Sequence, residues 1–227
     1  MEEGDRYLRH KLGALAAVLL AIAAGGWFYA QSLMHPPPVP APQAFAPYTA
    51  PDDAFLCQSP QGWKQESAAS HAVMSTVTFK NASARIEITA DLQGSLQGDI
   101  ARATNASLSN LGSFAGAEGA PTPQLRPPVE QLHEKGAKGL RRDLKEHGYG
   151  DPAEQPMQTL QTPAGEGRYS EFTAKGGAFQ GDTHGYRATI LNGDRRISYM
   201  GRCRESDWSS LKPSFEKVLL SITRGNG

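Results

Sequence analysis

The chain has 227 residues, with 23 basic and 23 acidic side chains and a formal net charge of zero. A balance of that kind supplies no net field toward nucleic acid or anionic lipid. Two cysteines far apart cannot by themselves build a structural zinc site.

Leu12–Ala30, LGALAAVLLAIAAGGWFYA, carries no charge over nineteen residues. In helix it spans ~28 Å, close to the hydrocarbon core of a bilayer. Arg6, Arg9 and Lys11 precede it, and the next Lys or Arg after it is Lys64. That asymmetry predicts a cytoplasmic N-terminus and an extracytoplasmic remainder. Trp27 and Tyr29 sit at the outer end, where amphipathic rings favour the headgroup layer. The run is longer than the apolar region of a cleaved signal peptide, and Phe28-Tyr29-Ala30 is not a small-x-small site; Ala21-Ile22-Ala23 remains the alternative cleavage motif. No cysteine follows closely, which excludes a lipoprotein anchor. The expected organisation is a cytoplasmic stub over 1–11, a transmembrane signal anchor over 12–30, a proline-rich linker over 31–53 and an extracytoplasmic domain over 54–225. The expected localisation is the cell membrane, single-pass.

His35–Pro51 holds seven prolines in 17 residues, so it reads as an extended polyproline spacer with neither helix nor sheet. At ~3.1 Å per residue such a spacer reaches ~50 Å. Beyond it, Ala54–Cys57 and a turn at Pro60-Gln61-Gly62-Trp63 mark the first strands. Met74–Phe79 and Ala84–Ala90 alternate, with Val77, Phe79, Ile86 and Ile88 opposed to Thr76, Thr78, Arg85 and Glu87, as in a half-buried hairpin. Leu96, Ile100, Ala103, Leu108 and Leu111 recur at helical spacing up to Gly112. Pro127 or Pro128 opens a second helix with Val129, Leu132, Leu140 and Leu144 on one face, and Gly136 and Gly139 predict that it is broken or short. Its other face mixes five basic with four acidic residues, which reads as solvated.

The C-terminal part predicts strands at Arg168–Thr173, His184–Leu191 and Arg195–Cys203, the last two joined at Asn192-Gly193. Ser206 or Asp207 then caps an amphipathic helix through Leu211, Phe215, Val218, Leu219 and Ile222, stopped by Gly225. The fold class is α+β: one antiparallel sheet of about six strands with packed helices, preceded by the transmembrane helix.

These residues resemble a known fold. The first strand leading into Pro60-x-Gly62-Trp63 is similar to the opening of the PsbP-like fold. So is the closing series of Gly185-Tyr186-Arg187, a hairpin, Tyr199, Asp207-Trp208-x-x-Leu211 and Phe215-x-x-Val218-Leu219-x-Ser221-Ile222. That fold is shared by the photosystem II PsbP proteins, the DcrB-like envelope proteins and a Ran-binding group. The resemblance covers roughly residues 54–224. It implies a non-enzymatic binding or assembly module, and no ligand residue of the family carries over.

Motifs for chemistry are scarce. His133-Glu134 begins like HExxH, but position 137 is Ala, so the second zinc ligand is missing. There is no GxSxG, P-loop or dinucleotide fingerprint. Asn81-Ala82-Ser83 and Asn105-Ala106-Ser107 match the glycosylation sequon, a common triplet. The remaining polar cluster is Glu171, Asp182, His184, Tyr186 and Arg187, where a carboxylate facing a histidine could bind a metal or move a proton; cross-strand surface pairing is the plainer reading. No metal or cofactor is expected. The reading that results is an anchored extracytoplasmic binding or scaffold module, held in the lipid bilayer through 12–30 and serving an envelope protein partner, without nucleic acid. The rival is an envelope hydrolase or metal-dependent enzyme using the His184 region.

Both cysteines fall on the oxidising side of that topology. Cys57 lies in the expected first strand and Cys203 in the last, each on an inward face, so a Cys57–Cys203 disulfide is expected; two buried thiols are the alternative.

Overall fold

The computed structural model describes residues 20–27, 37–70, 74–91, 127–177, 180–192 and 195–225. It divides into two compact units, Met1–Pro38 with Ala178–Gln180, and Val39–Gly177 with Gly181–Gly227. In the first unit residues 20–27 are helical, and Leu20, Ile22 and Trp27 are exposed. Among the described residues no helix is long and apolar enough to cross a membrane; most of the run Leu12–Ala30 lies outside them.

The second unit begins within the tract expected to be a bare spacer. Val39 and Ala50 are buried, and β1 (Phe45–Thr49) pairs antiparallel with β2 (Phe55–Pro60). The expected spacer is corrected here. Proline is excluded from central strands because it cannot donate to the ladder, but β1 is an edge strand and holds one proline, Pro47. The closing strand β11 (Thr223–Arg224) pairs with the other side of β2, completing a three-stranded sheet.

The main sheet has eight strands, against the six or so expected for the whole domain. They are β3 (Lys64–Ser70), β4 (Met74–Asn81), β5 (Ala84–Asp91), β6 (Ala153–Glu154), β7 (Gln158–Thr162), β8 (Gly165–Ala174), β9 (Thr183–Asn192) and β10 (Arg195–Arg204). Their order is β3-β4-β5-β10-β9-β8-β6, and β7 also pairs with β8. All pairings are antiparallel. The strands that sequence reading missed are short or polar: β6 has two residues, and β7 reads QTLQT with only Leu160 buried. The hairpin β4–β5 is as its alternation predicts, with Val77 opposite Ile88 and Phe79 opposite Ile86.

Two helices cover opposite faces of this sheet. α1 (Pro128–Glu146) starts on a proline whose missing N–H would be unpaired there in any case. It buries Val129, Leu132, His133, Leu140 and Leu144 and runs unbroken for 19 residues, correcting the expectation of a broken or short helix. Gly136 has a packing reason: a Cβ there would lie 2.8 Å from Arg187 Nη1. α2 (Trp208–Leu220) buries Trp208, Leu211, Phe215, Val218 and Leu219 on the other face and ends at Ser221, before the Gly225 expected to stop it. Trp63, from the Pro60–Trp63 turn, meets Phe215 edge-on at 6.3 Å. β9, between the two helices, is buried over eight consecutive residues, Thr183–Ile190. The helix expected over 96–111 and the Asn192-Gly193 turn fall on or reach residues outside the described ones.

The expected disulfide is also corrected: Cys57 and Cys203 are buried free thiols. Cys57 sits on β2 of the small sheet opposite Tyr48, while Cys203 sits on β10 of the large sheet opposite His184. The strand that joins the chain's end to β2 is β11, so the two cysteine strands are not sheet neighbours. Burial raises both thiols to about 12.

Candidate functional site

Strand alternation separates the predicted cluster into two faces and one rim. His184 and Tyr186 point to the α2 side of β9, and Glu171 lies directly opposite Tyr186 on β8. Arg187, one residue on, points to the α1 side. Asp182 lies just before β9, where it accepts from Lys175 Nζ at 2.5 Å and from the Gly176 N–H at 3.3 Å.

On the α2 side, His184 Nε2 is 2.6 Å from Glu171 Oε1, and Lys212 Nζ donates to the other oxygen of Glu171 at 3.3 Å. Burial pushes the Glu171 carboxyl up, but the His184 hydrogen bond and the Lys212 charge outweigh it and hold the group below its ordinary value. The His184 ring stacks on Trp208, centroids 4.0 Å apart and 12° from parallel. Its Nδ1 lies 2.9 Å from Glu205 Oε2, within ion-pair distance but without hydrogen-bond alignment. Tyr186 donates its hydroxyl to Glu216 Oε1 at 2.9 Å, and burial, followed by Glu216, raises its pKa. The imidazole is therefore clamped between a ring and two carboxylates. Lys212, Glu205 and Glu216 escaped sequence reading, and Trp208 entered it only through the fold resemblance, because all four lie beyond β9 in the chain and reach it only through the docking of α2.

The α1 side holds a buried polar network. Arg187 donates Nε and Nη2 to Glu154 Oε1, at 2.9 and 2.5 Å, and Nη1 to the backbone oxygen of His133. His133 is 1 % exposed, with Nδ1 3.2 Å from Thr189 Oγ1 and Nε2 3.0 Å from Ser170 Oγ. Ser170 in turn donates to Glu154 Oε1. Arg168 sits between Glu130 and Glu166, at 2.9 and 2.7 Å. Burial first, then the charges of Arg187 and Arg168, push His133 down to about 3. A histidine so held is neutral at ordinary pH and bridges two hydroxyls; a base that weak accepts a proton poorly from serine.

Beside this network a cleft of about 380 Å³ opens between α1 and strands β5, β9 and β10. Thr89, Thr189 and Ser198 give it a hydroxyl floor, Leu140 and Met200 an apolar wall, and Arg142 and Glu146 a charged rim. Its size and mixed lining suit a binding surface. Among the described residues no group of three or more His, Cys, Asp or Glu is placed to hold a metal ion.

No family model matches the chain, and no curated protein matches it in sequence. Among solved structures it is similar to cyanobacterial PsbP from Synechocystis, with a TM-score of 0.51 and 13 % identity, over 80 % of this chain and 92 % of that one. A second similarity, to a Pseudomonas aeruginosa protein of unknown function named PA94 and described as a putative regulator, has a TM-score of 0.35 and 7 % identity, over 78 % and 94 % of the two chains. At such identity the first shows the fold alone. The chain has a PsbP-like fold.

Proposed function

We propose that the chain is a membrane-anchored, extracytoplasmic binding or scaffold module that serves an envelope protein complex. The observation that carries this reading is the PsbP-like fold, which suggests a non-enzymatic binding or scaffold module. The side-chain geometry agrees: His133 is buried and bridges the Thr189 and Ser170 hydroxyls, and His184 is fixed by Glu171, Glu205 and Trp208. The anchor rests on the uncharged run Leu12–Ala30 and the three basic residues before it. The exposed Leu20, Ile22 and Trp27 of the helix at 20–27 suit an apolar surrounding.

The full chain, extracted in mild detergent after crosslinking in intact cells, is expected to bring down a membrane or cell-wall protein in fixed stoichiometry. A chain recovered alone, with a hydrolytic activity that His184→Gln removes, would overturn the reading in favour of an enzyme.

A further inference from the structure

We propose that the outer face of α1 rests on an anionic lipid surface; the inference builds on the anchored reading above and specifies which face of the folded unit meets the bilayer. Over 134–146 the helix carries Lys135, Lys138, Arg141, Arg142 and Lys145, all exposed, against Glu134, Asp143 and Glu146. Asp143 is turned inward toward Arg202 at 3.5 Å. Lys135, Lys138, Arg142 and Lys145 are three, four and three residues apart, so they form one stripe along the helix, about 15 Å long.

Most other cations of the unit have a close carboxylate partner. Lys64 and Lys80 are held by Glu66, Arg196 by Asp91, Arg187 by Glu154, Lys175 by Asp182 and Lys212 by Glu171. On α1, Arg141 and Arg142 have only distant partners, at 3.8 and 3.9 Å, and Lys135, Lys138 and Lys145 have no ion pair among the described residues. Among the described residues, α1 thus carries five exposed cations without a close ion pair.

The point where the chain enters the folded unit lies at the same end of the sheet as part of that stripe. The folded unit starts at Val39, so only residues 31–38 separate it from the end of the apolar run, a reach of at most about 30 Å. Val39 is fixed to Asp207, just past the end of β10. The C-terminal part of α1 lies at that same end of the sheet: Asp143 pairs with Arg202 of β10, and the Gly150 N–H donates to the Lys175 oxygen just past β8. The chain therefore enters the folded unit at the end of the sheet where Arg141, Arg142 and Lys145 stand. Basic side chains within a Debye length of an anionic leaflet are attracted to it.

The test uses the full chain reconstituted into vesicles of phosphatidylcholine alone or with phosphatidylglycerol, and reads lysine acylation by mass spectrometry. Lys217, exposed on α2 across the sheet, is the internal reference. Flotation with the neutral vesicles reads the anchor separately. Lys135, Lys138 and Lys145 are expected to react about threefold or more slowly, relative to Lys217, in the anionic vesicles, with the difference lost at high salt. In the variant Lys138→Glu/Arg142→Glu/Lys145→Glu, built only from exposed positions, the protection of Lys135 should disappear. Equal labelling in the two vesicles overturns the proposal. So does protection in native membranes but not in anionic vesicles, which would assign the face to an acidic protein.

Discussion

The backbone N–H of Val39 donates to Oδ1 of Asp207, 168 positions along the chain, at 3.3 Å. Asp207 stands at the N-cap of α2 but makes no capping bond with its side chain. Its carboxylate is 1 % exposed and is divided among Val39, the Ser83 hydroxyl at 3.3 Å and Arg204 Nε at 3.0 Å. One side chain thus ties the start of the folded unit, the β4–β5 turn and the end of β10 together.

Asp207→Ala should cost about 2–4 kcal/mol in urea unfolding, because it removes three acceptor bonds and leaves Arg204 beside an empty space. Asp207→Asn, which keeps one acceptor oxygen, should cost less. Equal stability of Asp207→Ala and wild type would mean that the junction contributes nothing.

The two thiols should be silent in the native protein. Burial raises each to about 12, so almost no thiolate is present near neutrality. Alkylation should be negligible in native buffer, and two equivalents of label should enter on denaturation without reductant. A loss of two mass units under non-reducing conditions would restore the disulfide.

His133 sets an acid limit on stability. Its folded pKa of about 3 lies below the unfolded value near 6.5, so its contribution is complete above about 6.5 and is lost as pH falls toward 3. Between pH 6.5 and 5 the unfolded chain binds the extra proton, and unfolding free energy should fall with a slope of up to one proton. His133→Gln should be less stable at neutrality but flatter over that interval. A wild-type slope no steeper than that of the variant would contradict the assignment.

Two glycines of α1 should respond with opposite signs. At Gly139 an added Cβ meets nothing within 4 Å, so Gly139→Ala should stabilise by about 0.5–1 kcal/mol through helix propensity. At Gly136 the Cβ would press on Arg187 Nη1, which Glu154 and the His133 oxygen hold in place, so Gly136→Ala should destabilise. Thermal melting of the two variants decides both.

How much of this was legible depends on how local each signal is. The alternation of Val77, Phe79, Ile86 and Ile88 and the helical spacing of Leu211, Phe215 and Val218 are local, and both elements form where they are expected. β1 was hidden because proline counts against strands, a rule that spares edge strands. The candidate site divides because sequence proximity ignores the pleat: Tyr186 and Arg187 are neighbours that face opposite helices. Glu154, Ser170 and His133 come together only through the packing of α1 on β8 and β9, which no short spacing encodes. The disulfide expectation failed for a related reason, since the first and last long strands belong to different sheets.

The anchored, outward-facing arrangement is tested most directly by tagging the full chain at both ends and treating intact spheroplasts with protease. The account predicts that the C-terminal tag is lost without detergent, that the N-terminal tag survives until the membrane is opened, and that the N-terminal fragment resists alkaline carbonate extraction. A C-terminal tag protected in intact spheroplasts, or a chain released by carbonate, would contradict it.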